Sequence, residues 1–210
     1  YVDRQDAIDA IFDGMGIPLA LWLPTSPLAN KDYMTWPGWN PDTKEADRAK
    51  AKELLAEAGF PNGFKTTLMV GERWVKYGEW LETQLSGLLG EGNVTISVKD
   101  SATYYDQIAE GNYEILQNLS SSVHIRHSPE LLAPGWLSTN RSSWIKHDDK
   151  KADELFATIR VTQDPAQRAK LAQELELHIR DNVTGLMLYA SQHYVAFRSY
   201  VKDFVPPQTN

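Results

Sequence analysis

Between Thr66 and Leu119 the apolar residues alternate between a period of two and a helical period, and this constrains the chain more than any other feature. Thr66 to Val70 reads as a strand and Tyr77 to Leu89 as a helix. Val94 to Val98 puts Val94, Ile96 and Val98 on one face of a second strand, and Tyr104 to Ala109 returns to helix. Gly111 and Asn112 turn the chain into a third strand, Tyr113 to Leu119. Strands joined through helices must be crossover-connected and largely parallel, so the pattern predicts an α/β fold with helices on both faces of the sheet. Loops leaving the carboxyl ends of such strands are where ligands collect. That rule singles out Glu72, Arg73 and Trp74 after the first strand, and the polar run Ser120 to Ser128 after the third.

The flanks read differently. Asp3 to Phe12 is a short helix with Ala7, Ile8, Ile11 and Phe12 at helical spacing, stopped by Gly14 and Gly16. From Gly14 to Pro41 no period survives. The segment is rich in proline and carries Trp22, Trp36 and Trp39, which must pack somewhere, so it reads as a wrapping loop. Asp42 and Glu45 have capping-box spacing ahead of Ala46, Ala49, Leu54, Leu55 and Ala58, a stripe read as packing surface, with Gly59 at the helix stop. Asp148 to Val161 is amphipathic with Ala152, Leu155, Phe156 and Ile159 inward. Asp164, Pro165 and Gln167 begin another helix whose seam is Leu171, Leu175 and Ile179. Leu186 to Tyr189 and Tyr194 to Phe197 read as short strands. Trp22 and Trp80 are expected in the core.

Composition narrows the chemistry. A net charge of −7 argues against a nucleic-acid partner, which requires a basic face. The apolar run Ile17 to Leu23 is far below the ~20 residues of a bilayer span, so no direct membrane insertion is expected. With no cysteine there are no disulfides, thiolate metal sites or cysteine nucleophiles. No phosphate loop, dinucleotide fingerprint, nucleophile elbow or HExxH pair is present, so no cofactor and no catalytic residues are expected. His124 and His127 lack a third ligand and make a poor metal site. Asp148 and Asp149 open a helix, where carboxylates favour the dipole. Trp74 beside Glu72 and Arg73 is a candidate stacking platform for a ligand, and Tyr77 belongs to the packed face of its helix. The chain opens at Tyr1 directly on a helical pattern, as a processed or excised piece would.

Four segments resemble the extracellular solute-binding proteins of family 5, which serve peptide, nickel and oligosaccharide ABC importers. They are DRQDAI at Asp3 to Ile8, AKAKELLAEAGFPNGF at Ala49 to Phe64, YYDQIAEGNYEI at Tyr104 to Ile115, and the run from Asp164 to Pro206. The resemblance implies a periplasmic-binding-protein type II lobe with a mostly parallel mixed sheet. It makes residues 1–210 the C-terminal lobe of a two-lobed protein whose other lobe lies upstream. It further implies reversible capture of a small-molecule solute, delivery to ABC permease transmembrane subunits, a monomer, and a periplasmic or extracellular location that includes lipid anchoring upstream. The same lobe pair also occurs as the ligand-sensing part of cytoplasmic transcription regulators.

Where peptide-binding members of that family carry a tryptophan and an aspartate toward the ligand, this sequence has Ser101 and Val123, so the usual ammonium anchor is missing. The loop instead offers Ser120, Ser121, Ser122, His124 and Arg126, donors suited to a polyhydroxylated or anionic solute. With Glu72, Arg73 and Trp74 these are the expected ligand-binding residues.

Overall fold

The computed structural model describes residues 1–118, 128–140, 143–146, 148–183, 185–191, 198 and 200–202. At its centre β2 (Thr66–Gly71) pairs in parallel with β3 (Val94–Lys99) on one side and β4 (Ile115–Leu116) on the other, giving the order β3-β2-β4. The register sets Thr66 opposite Val94 and Gly71 opposite Lys99, while Leu68 faces Ile115 across the other pair. This is the covered parallel sheet that the alternating period predicts. β2 is buried along most of its length because it is the middle strand.

Each sheet face receives one crossover helix. α3 (Val75–Leu89) closes a cluster containing Leu68, Val70, Leu81, Leu89 and Val94. α4 (Ser101–Glu110) covers the other face, where Met69, Tyr104 and Ile108 are buried together. Close approach of α3 depends on Gly78: a Cβ there would lie 2.6 Å from a Val70 methyl. The turn into β2 depends on Gly63, whose φ of +73° and 1.7 Å spacing from a Cβ to the Leu89 carbonyl oxygen exclude a side chain.

The second layer is helical. The segment after β1 (Gly16–Pro18) buries Leu21, Trp22, Leu28 and Ala29 against α5 (Pro129–Trp136), α6 (Lys150–Val161) and α7 (Pro165–Asn182). Ala152, Leu155, Phe156, Ile159, Leu175 and Ile179 all face inward there, as their spacing predicts. β1 pairs antiparallel with β5 (Tyr189–Ser191), beside α1 (Arg4–Phe12).

Several local expectations are corrected. α1 runs to Phe12 as its spacing predicts, with Asp13 at φ 51° and Gly14 at φ 77° turning the chain out of the helix, but Gly16 opens β1 instead of stopping the helix. The Asp42–Glu45 box does not form. A 3-10 turn at Pro41–Thr43 is capped by the Asn40 side chain, and α2 (Lys44–Glu57) grows out of it. The alanine stripe of α2 is exposed: Ala46, Ala49 and Ala58 face solvent, Leu54 is 52% exposed, and Leu55 alone of the stripe packs against the sheet layer. β4 is limited to its two central residues, and the strand read at Leu186 to Tyr189 sits later, at Tyr189–Ser191. Val98 rises out of the covered face, and Trp80 is half-buried, its indole donating to Asp6 Oδ2 at 2.8 Å. The strand expected at Tyr194 to Phe197 lies outside the described residues.

Candidate functional site

Three parallel strands aim their carboxyl ends at one edge of the sheet, and the residues leaving them build the site. β2 ends at Gly71 and runs into a 3-10 turn, Glu72–Trp74, before α3. Glu72 and Arg73 are exposed and Trp74 is half-buried. The Trp74 ring meets Tyr104 edge-on at 5.4 Å and lies over Gly71, where a Cβ would come within 2.8 Å of the indole. Trp74 therefore joins the packing on both sheet faces. Its platform role can use only the part of the ring left open by Tyr104. Tyr77 packs against Phe12 with centroids 5.9 Å apart, as its place on the helix face requires.

β3 leads into Asp100, which caps α4 by accepting from the amides of Ala102 and Thr103. The Thr103 hydroxyl and these backbone donors hold the Asp100 carboxyl below its usual range, so this acid is committed to the cap. Ser101, at the position of the missing tryptophan, places Oγ 3.5 Å from Glu72 Oε1. The fold thus brings together Glu72, Arg73, Trp74 and Ser101. Ser120, Ser121, Ser122, His124 and Arg126 lie outside the described residues, as do Val123 and His127.

β4 supplies a residue that pattern reading passes over. Gln117 continues the ladder, donating its amide to the Met69 carbonyl at 3.0 Å, while its own carbonyl accepts from the Tyr104 hydroxyl at 2.7 Å. Burial pushes the Tyr104 phenol well above its usual range, so it stays protonated and remains the donor. Gln117 is 6% exposed, and its Oε1 is shielded from water without a hydrogen-bond partner. The one sequence signal is a weak one: Gln117 follows the apolar pair Ile115 and Leu116, with a second amide, Asn118, directly after it.

Elsewhere the polar chemistry is structural. His178 Nε2 lies 2.8 Å from Asp149 Oδ1, but Asp149 also caps α6, and the other ring nitrogen faces Asn182, so the pair ties α6 to α7. Among the described residues no three His, Cys, Asp or Glu side chains converge as a metal site would need, and no helix is long and apolar enough to cross a membrane. A groove of about 370 Å³ runs along the α4 face of the sheet past Thr67, Ser97 and Lys99. Its one carboxylate, Glu114, is already engaged by the Thr66 hydroxyl and the Thr67 amide.

Comparison with known proteins places this arrangement. Residues 1–143 match the family described as bacterial extracellular solute-binding proteins, family 5 middle. The chain is 25% identical over 190 residues to a glutathione-binding protein of Salmonella paratyphi A, an alignment covering 83% of this chain and 34% of that protein. Two solved structures share the fold. A Helicobacter pylori periplasmic binding protein in complex with the peptide STSA superposes with TM-score 0.70 at 19% identity, over 90% of this chain and 36% of that one. Haemophilus influenzae OppA, in complex with RPPGFSPFR, gives TM-score 0.73 at 16% identity, over 90% of this chain and 37% of that one. The chain thus spans about a third of the length of the proteins it matches.

Proposed function

Since this chain belongs to the bacterial extracellular solute-binding proteins of family 5, we propose that it forms one lobe of the substrate-binding component of an ABC importer. The observation that supports the reading most directly is the sheet edge itself. The carboxyl ends of β2, β3 and β4 collect Glu72, Arg73, Trp74, Ser101 and Gln117 at the position where open α/β sheets bind ligands. In this proposal a second lobe closes over that edge, desolvates a small peptide-class solute between the two, and hands it to permease transmembrane subunits. The relatives' ligands support a peptide class: glutathione for one, STSA and RPPGFSPFR for others. The periplasmic setting of the Helicobacter pylori protein supports the same location for the intact protein.

Capture of this kind makes and breaks no bond. Affinity comes from burial and a few fixed hydrogen bonds, and the solute shifts the population toward the closed state. The regulator alternative finds no support, because the named relatives are binding proteins. The deciding experiment is native mass spectrometry of the intact protein purified from its own host. A non-covalently retained peptide, released unchanged on denaturation, is the expected result. Recovery of a cleaved or modified product, or specific binding of duplex DNA by the intact protein, overturns the reading.

A further inference from the structure

We infer that Gln117 is a solute-recognition residue whose carboxamide takes a backbone peptide group of the bound solute, an inference that rests on the peptide-capture reading above. The starting point is an energetic anomaly. Buried polar atoms in folded proteins are almost always hydrogen-bonded, because an unmade bond leaves the desolvation cost uncompensated. Gln117 Oε1 is shielded from water and has no partner, in a residue 6% exposed. Leucine or methionine would fill the same volume without that cost, so the amide works against the stability of the solute-free fold.

Its placement indicates what the amide is for. The Gln117 backbone is fixed on both sides, through its amide to Met69 and through its carbonyl to the Tyr104 hydroxyl. Extending the β2–β4 register by one residue puts Gln117 opposite Val70, one residue before Gly71 and the Glu72–Trp74 turn. The side chain therefore stands at the carboxyl end of the sheet on a rigid base, as precise recognition requires.

The chemistry of the group narrows the ligand. A carboxamide presents one acceptor and one donor side by side in a plane. An extended peptide presents the N–H and C=O of one residue on the same side, the complementary pair. A carboxylate offers no donor to satisfy Oε1 and an ammonium no acceptor for Nε2, so the pair fits the peptide backbone better than either terminus. Recognition of this type is independent of side-chain sequence.

The test uses the intact protein with tri-alanine and glutathione as probes, in wild type, Gln117→Leu and Gln117→Glu. Calorimetric titration is combined with thermal unfolding in the absence of solute. The expected result is a higher solute-free melting temperature for Gln117→Leu, together with a loss of affinity of about tenfold or more for both probes. Gln117→Glu, which keeps an acceptor and loses the donor, falls between. A tri-alanine analogue with its central amide replaced by an ester binds more weakly than tri-alanine to wild type, and no more weakly to Gln117→Leu. Unchanged peptide affinity in Gln117→Leu overturns the inference alone, as does a lower solute-free melting temperature. Failure of wild type to bind either peptide overturns the peptide-capture reading as well.

Discussion

The sheet layer and the wrapping layer of this chain are held by different physics. In the sheet layer, β2, α3, β3 and α4 bury a patterned set of apolar side chains, and the glycines that permit close approach stand within the same run of sequence. In the wrapping layer, residues 19–40 have almost no regular structure, and two buried charges hold the segment in place. Glu176, 1% exposed on α7, accepts from the Trp22 amide at 3.0 Å and from the Asn30 amide and side chain at 2.9 and 2.7 Å. Arg4, 4% exposed on α1, donates to the carbonyls of Met187 and Gly38 and stacks 3.7 Å over the Trp39 ring. Burial lowers the basicity of this guanidinium, and its second terminal nitrogen has no hydrogen-bond partner. An irregular segment cannot satisfy its own backbone, so a carboxylate from a distant helix does it. Such a layer fails through single polar contacts, whereas a patterned layer weakens in proportion to the surface it loses.

Glu176→Ala is the strongest way to test that contrast. It strands the Trp22 and Asn30 donors in the interior and is expected to cost about 3–5 kcal/mol, read as a shift in the denaturant midpoint. Glu176→Gln keeps part of the network and costs less. Leu68→Ala, in the middle of β2, removes fully buried apolar surface and costs about 2–4 kcal/mol. If it proves more damaging than Glu176→Ala, the contrast collapses. Gly78→Ala drives a methyl toward Val70 and costs about 1–3 kcal/mol. Leu54→Ser, on the exposed face of α2, is expected to change stability by less than about 0.5 kcal/mol.

Proton linkage sharpens the same comparison. Burial pushes the Glu176 carboxyl above its usual range, against the pull of its hydrogen bonds. The native state therefore holds this proton more tightly than the unfolded chain does. The associated stability is present in acid and is lost as pH rises from the usual glutamate range through the raised native value. Glu176→Gln abolishes that contribution, so a stability–pH profile that differs from wild type by a constant offset would show that this carboxyl does not titrate as burial requires.

Legibility followed locality. β2, α3, β3 and α4 were readable because period, turn glycines and caps lie within a few residues of each other, as Asp100 before α4 and Gly111 after it show. The α2 stripe misled because alanine at helical spacing marks helix propensity as much as packing. Asp42 and Glu45 had box spacing, yet Asn40 captured the chain two residues earlier. Trp74 was visible as an aromatic at a strand exit, but its commitment to Tyr104 was not, since that ring arrives from another helix. Gln117 carried only a faint signal, an amide after Ile115 and Leu116 that its neighbour Asn118 shares.

The sequence by itself determined the crossover order, the covered parallel sheet and the segments that leave its carboxyl ends, because periodicity and capping are short-range. Tertiary structure alone decided that a carboxylate 154 residues away would close the backbone around Trp22, that Trp74 would serve packing before ligand, and that Gln117 would be buried with its oxygen unmatched. These outcomes depend on which distant groups meet once water is excluded. Desolvation is a property of the assembled interior, and no local pattern encodes it.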